Sequence, residues 1–199
     1  MIGTIIIILL ICFIIIFKNL YHNEVTFIEG FDSNKYLVRN LPDKNDAANM
    51  LAQLRVDLLN FINEICEEIE EKTEDNEDNE YYKYIKMIQK KLPDSIIKES
   101  SANSEHTSYS INKGEELVFC LRSKVTNKLH DINDILYVAV HEIAHIGCPE
   151  IGHTPLFKKI NYYLLNKATE KNLYKYENYR INNKEYCGIT LSSNILDTN

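Results

Sequence analysis

Residues 141–145 read His-Glu-Ile-Ala-His. This short run constrains the fold more than any other part of the chain. On an α-helix, residues four apart lie on the same face, one turn from each other. His141 and His145 can therefore reach one metal ion. Glu142 is offset by about 100° and can approach a water at that metal without ligating it. The chain must then form a helix that is buried on most sides and open to a cleft on one. The flanking residues fit that demand, because Val138, Ala139, Ile143 and Ala144 are apolar or small. The arrangement suits metal-assisted hydrolysis. Zinc takes imidazole nitrogens, keeps one position open for water, and lowers that water's pKa towards ~7. Glu142 is the candidate general base, which would later return its proton to a leaving amine.

A third ligand follows in the sequence. His153 comes after a Gly147-Cys148-Pro149 break and a second glycine at 152, just before the next expected helix. A chain that turns back after His145 brings His153 under the same ion. Glu150 and the softer ligand Cys148 are rivals for that position. The structural alternative is a helix whose two histidines serve only packing.

The N-terminus carries the second strong signal. Residues 1–17 contain no charged side chain, and Lys18 ends the run. As a helix, such a run spans roughly 25 Å, against a hydrocarbon core of ~30 Å. It lacks the basic start and small-residue cleavage step of a secretory signal. The expectation is an uncleaved membrane anchor over 1–18, with residues 2–17 in the bilayer. A cleaved signal and a buried core helix are the alternatives. Lys18, Lys35 and Arg39 follow the run, so the positive-inside rule places the rest of the chain on the cytosolic side. An odd count of five cysteines agrees with a reducing compartment.

Composition excludes several classes. The chain has 199 residues, 45% of them hydrophobic and 26% charged, as expected of one compact domain with appendages. Six glycines and four prolines rule out collagen-like and Pro-rich structure. A net charge of −7 argues against direct nucleic-acid binding. That excess lies before residue 100, where 11 basic residues face 18 acidic ones; the remainder of the chain balances 11 against 11.

Pattern then divides the chain. Residues 19–45 read as a tether. Leu51, Leu54, Leu58, Ile62, Ile65 and Ile69 recur at helical steps and predict a helix over 46–72, capped by Asp43 or Asn45. Residues 67–80 hold nine acidic residues and one lysine, the pattern of a solvated helix end and loop. A second helix is predicted over 81–92, ended by Pro93, and 94–107 reads as irregular. Two short strands, 107–111 and 116–122, flank the turn Asn112-Lys113-Gly114. A third helix covers 131–146, with Asp131 or Asn133 as its cap. A fourth runs from Thr154-Pro155 to about 171, with Thr at the cap and Pro at the first helical position. A last short strand is expected at 188–191. The class is α+β, with a domain over 46–199 made of a helical lead-in at 46–92 and strands plus metal site at 107–199.

The segment HEIAHIGCPEIGHTPLF resembles the zincin peptidases of the WLM and SprT-like families. These pair H-E-[LI]-[AC]-H with a downstream His-Gly or Gly-His step and a Phe-containing helix. The matching residues are His141, Glu142, His145, His153 and Phe157. The third histidine here follows a longer gap, of seven residues. LVRNLPDKNDAANMLAQLR, TSYSINKGEELVFCLR, KLHDINDILYVAVHEIAH and EYCGITLSSNIL extend the likeness to WLM-type metallopeptidases of large DNA viruses, over roughly residues 36–199. The resemblance implies a virus-encoded protein with a minimal zincin fold, in which a small mixed sheet lies against the active-site helix. It implies one Zn2+ per chain, held by His141, His145 and His153. It also implies an edge strand that pairs with a protein or peptide substrate, for which 116–122 is the candidate. Relatives act on DNA-bound or ubiquitin-family-linked proteins, a substrate not expected of an acidic chain without a basic extension. Zincins often stabilise the oxyanion with a Tyr or His, and Tyr179 and Tyr186 are candidates in a tail able to fold back. Each reads first as a packing residue, and His130 as a loop residue. Cys148 and Cys187 can pair if the domain faces an oxidising lumen, while Cys12 and Cys66 read as apolar fillers. The competing reading is a non-catalytic protein, either zinc-stabilised or a virion membrane component. Oligomeric state is left open.

Overall fold

In the computed structural model, residues 2–71 and 79–197 are described. Five strands make one mixed sheet in the order β1-β2-β3-β5-β4. The strands are β1 (Val25–Glu29), β2 (Lys35–Arg39), β3 (Ile96–Glu99), β4 (Tyr109–Ile111) and β5 (Glu116–Phe119). β1 and β2 form an antiparallel hairpin, β3 lies parallel to both β2 and β5, and β4 returns antiparallel to β5. This mixed α+β architecture agrees with the class expected from pattern.

Helix α1 (Ile2–Glu24) precedes the sheet and meets the fold where it runs into β1. Its described apolar side chains from Ile5 to Phe17 are 49–66% exposed, so α1 is not a core helix. Among the described residues, no helix is long and apolar enough to cross a membrane. The transmembrane anchor expected over 1–18 therefore has no support in the structure. The uncharged run stops at 17 residues, and α1 continues through the polar stretch KNLYHNE.

The tether expected over 19–45 is corrected. Most of it is the β1–β2 hairpin, so the sheet begins twenty residues before the expected domain boundary. The turn closes through an Asx contact, in which the Asn34 N–H donates to Asp32 Oδ1 at 3.1 Å. Tyr36 and Val38 point inward. β3 is likewise new against the expected irregular stretch. Its inward-facing residues are Ile97 and Glu99, and the glutamate breaks the apolar alternation. Glu99 is buried because Arg122 Nε donates to it at 2.8 Å and the Arg39 backbone N–H at 2.7 Å. Burial still holds the Glu99 carboxyl above its ordinary pKa.

Helix α2 (Lys44–Glu71) lies on the sheet. All six residues of its predicted stripe, Leu51 to Ile69, are at most 3% exposed. Their burial contributes on the order of 10 kcal/mol before entropy is charged. α3 (Asn79–Lys91) and α4 (Ile132–Gly147) complete the layer, and α5 (Pro155–Glu170) packs on α4. Of the acidic stretch 67–80, residues 72–78 lie outside the described residues. Glu68 and Glu70 are paired with Lys171 and Lys86, as on a solvated helix end.

A small hairpin of β6 (Lys184–Tyr186) and β7 (Ile189–Leu191) forms the tail. It is fastened by a disulfide between Cys120 and Cys187, whose Cα atoms are 6.2 Å apart. The Cys148–Cys187 pairing that the sequence left open is not formed. Cys148 caps the end of α4 as a fully buried free thiol. A disulfide also sits poorly with a reducing cytosolic placement.

Candidate metal centre

Helix α4 carries the first two histidines. Asp131 caps it by accepting the Asn133 N–H at 2.8 Å, and its far end stops at Gly147. Ile135, Ala139, Ile143 and Ala144 are fully buried, which fixes the helix roll and turns His141 and His145 towards the cleft. The loop 148–154 then doubles back. Thr154 opens α5, its hydroxyl accepting the Phe157 N–H at 3.2 Å. This reversal brings His153 beside the pair. His141 Nε2 and His153 Nε2 are 2.9 Å apart, and one ring nitrogen from each of the three histidines lies within 4.8 Å of the others. Neither Glu150 nor Cys148 joins the group. Glu150 lines the cleft as an exposed side chain.

Two contacts hold this loop and its ligands. Lys113 Nζ donates to the carbonyls of Cys148 (2.6 Å) and Glu150 (2.8 Å), tying the β4–β5 turn to the loop that carries His153. That turn needs glycine at 114, where φ is +97° and a Cβ would meet Ile146 at 2.7 Å. Phe157 is buried against all three imidazoles and stacks on His145 with centroids 4.1 Å apart. It forms an apolar floor that fixes the rings.

Behind His141, the buried Asn161 side chain places its amide 3.4 Å from Nδ1. The atom facing Nδ1 is the amide nitrogen, Nδ2; the flipped amide would instead accept the Nδ1 proton and leave the Nε2 lone pair free. Asn161→Leu is expected to weaken metal affinity about 10- to 100-fold without unfolding the domain. Asn161→Asp, which keeps an acceptor, should retain it. Competition with a chelating dye reads both, and equal affinity for Leu and Asn at 161 would contradict the role.

Electrostatics favour neutral, ligand-ready histidines. Burial, then the neighbouring His145 and His153, push His141 down to about 3. Burial, then His153 and Lys113, push His145 down to about 4. Three convergent imidazoles are the donor chemistry that zinc accepts, so these residues can hold a metal ion.

Glu142 is 5% exposed and lies beside β4. Burial pushes its carboxyl up to about 7, although the Ser110 backbone N–H favours the charged form. The strand over the cleft is thus β4, the true edge of the sheet. The expected edge strand, 116–122, is corrected. Its β5 portion sits between β3 and β4, because Leu117, Val118 and Phe119 are all buried.

Neither tail tyrosine reaches the cleft. Tyr179 is buried with its hydroxyl donating to Asp134 Oδ1 at 3.1 Å, and Tyr186 is buried with its hydroxyl 2.9 Å from Ser108 Oγ. His130 accepts the Cys187 N–H, a structural contact. The tyrosine that does line the cleft is Tyr137, one turn before His141 on the same helix face. The four-residue spacing from His141 was the available signal for it. A cavity of about 900 Å³ lies on the β4 side of the histidines, walled by residues 107–113 and 190–193. A second, of about 780 Å³, lies on the α5 side.

The relatives of the chain are viral. Uncharacterized protein R325 of Acanthamoeba polyphaga mimivirus is 33% identical over 177 residues, covering 87% of this chain and 86% of R325. The chain belongs to the R325 family. Uncharacterized protein 136R of Invertebrate iridescent virus 6 is 34% identical over 82 residues, 40% of this chain and 46% of that protein. Uncharacterized protein 042R of Invertebrate iridescent virus 3 is 33% identical over 85 residues, 43% of this chain and 52% of that one. No family model matches the sequence. Among solved structures, a Wss1 mutant from Saccharomyces cerevisiae aligns with a TM-score of 0.46 at 14% identity, over 67% of this chain and 88% of Wss1. Wss1 itself gives 0.43 at 14% identity, over 66% and 84%. At that distance, what the R325-family chain does has to be argued from its own site.

Proposed function

We propose that this R325-family protein is a zinc-dependent metallopeptidase that hydrolyses peptide bonds, with Glu142 as general base. One observation carries the reading. A buried carboxyl with a raised pKa stands directly beside three convergent imidazoles, in a cleft under the free edge of a sheet. When bound, zinc supplies Lewis acidity and an activated water at neutral pH.

The chain's own residues do the rest. His141, His145 and His153 hold the metal, one Zn2+ per chain, with Asn161 and Lys113 fixing the ligand geometry. The edge strand β4 offers backbone groups to an extended substrate, giving affinity with little sequence selectivity. Glu142 takes a proton on its carboxylate and delivers it to the leaving amine, and the Ser110 N–H steadies the charged form before the first transfer and after the second. The Tyr137 hydroxyl, on the cleft wall, is the candidate partner for the developing oxyanion in place of Tyr179 or Tyr186. Exposed α1 is read as a contact with a lipid surface. The Cys120–Cys187 disulfide favours an oxidising setting over the cytosol in this reading.

The alternative is a zinc-stabilised module without catalysis. It is disfavoured by the donor set, since structural zinc sites are closed by four ligands, commonly cysteines, whereas three histidines lie here between two cavities. The deciding experiment incubates the zinc-loaded chain with an unbiased peptide mixture and reads products by mass spectrometry. Cleavage that a chelator stops and zinc restores supports the peptidase. Bound zinc with no product from any peptide supports the module.

A further inference from the structure

The cavity on the α5 side of the histidines differs in charge from the rest of the chain. Three cations line it, namely Lys158, Lys159 and Arg180, and among the described residues no carboxylate does. The whole chain carries a net charge of −7, so this is a local reversal of sign next to the reacting groups. The cavity reaches His141 and His153, which makes it continuous with the metal centre.

The lysines sit where a helix tolerates them poorly. Both lie near the N-terminal end of α5, whose first turn holds no acidic residue. The positive end of the helix dipole disfavours cations there. Ion pairs in this part of the chain are made further along, by Lys167 with Glu170 and by Lys171 with Glu68. Arg180 leans on Asp197 at 3.6 Å, which fixes it at the rim and offsets its charge. Among the described residues, the uncompensated charge is therefore that of Lys158 and Lys159. Tyr137 and Tyr162 also line it and offer ring surface to the stem of a side chain whose end is anionic.

We propose that this cavity is a subsite for a peptide carboxylate, so that the protein selects substrates with an acidic group close to the bond to be cut. The inference rests on the metallopeptidase reading and names its substrate class. The carboxylate comes either from a Glu or Asp side chain or from a chain terminus. A peptide is favoured over a nucleic-acid strand because the cations adjoin the reacting groups and the chain as a whole is acidic.

The test reads binding, not turnover. The zinc-loaded full chain carrying Glu142→Gln is titrated with three fluorescent hexapeptides. One is capped at both ends with a single Glu, one is the same with Gln, and one has Gln with a free C-terminal carboxylate. At low salt the Glu peptide is expected to bind at least tenfold tighter than its Gln twin, with the gap closing as salt rises. If the free-terminus peptide alone is favoured, the subsite is assigned to a chain end. Adding Lys158→Glu and Lys159→Glu, both on the exposed side of α5, should invert the preference towards a Lys peptide. Equal binding of the three peptides, no binding of any, or a Glu preference that survives the charge reversal would overturn the proposal. So would an oligothymidylate that binds more tightly than the Glu peptide and is lost with the same lysines. Because the base is already removed, an absence of cleavage by the wild-type chain would count against the metallopeptidase and leave this binding result intact.

Discussion

Glu142→Gln is expected to cut peptide cleavage at least a hundredfold while leaving the metal in place and making the metal-free fold more stable. The two effects share one cause. Burial raises the Glu142 carboxyl to about 7 in the fold, against an ordinary value of 4.5. Between those values the folded chain binds more protons than the unfolded one. Stability of the metal-free protein therefore falls as pH rises from about 4.5 to about 7, and the full cost is present above that. The shift corresponds to roughly 3 kcal/mol. Glutamine does not titrate, so the variant loses this slope. Urea unfolding of both metal-free proteins at pH 5 and pH 8 is the check. The variant should gain most at pH 8, and an equal difference at the two pH values would contradict the buried, ionising carboxylate. A metal beside Glu142 favours its charged form, so loading with zinc should shrink the gap.

Removing the Cys120–Cys187 bridge should cost about 4 kcal/mol, the loop-entropy value for a closure of this length. The bond joins residues 67 apart and fastens the β6–β7 hairpin to the end of β5. Residues 190–193 of that tail wall the larger cavity. A double Cys→Ala variant, or a reducing agent, should lower the urea midpoint and weaken peptide binding together. Both sulfurs are buried, so alanine is the fitting replacement. An unchanged midpoint under reduction would mean that the tail is held by packing alone. Tyr186 and its contacts with Ser108 and His130 would then be carrying it.

The helices were readable because each writes its pattern locally. The stripe from Leu51 to Ile69, the Asp131 cap and the Thr154-Pro155 start all sit where expected. The metal cluster was readable for the same reason, since His141 and His145 are set by helical spacing alone. His153 needed only the reversal signalled by Gly147, Pro149 and Gly152. The sheet was harder. β1 and β2 are five residues each, and only β2 buries residues, Tyr36 and Val38, so they resemble a tether when read alone. β3 hides an inward glutamate whose partner, Arg122, lies 23 residues away. Strand order is non-local, and so β5 was mistaken for the edge that β4 occupies. The disulfide partner of Cys187 depends on that same order. Tyr137 was legible from its spacing and was passed over for tyrosines in the tail.

The most direct test of the three-histidine centre is zinc content per chain. It is measured on the wild-type protein and on His153→Ala, Glu142→Gln and Glu150→Ala. The expected result is one zinc in the wild-type, Glu142→Gln and Glu150→Ala proteins, and none retained by His153→Ala. A folded wild-type chain that takes up no zinc, or a His153→Ala variant that keeps it, would contradict the account.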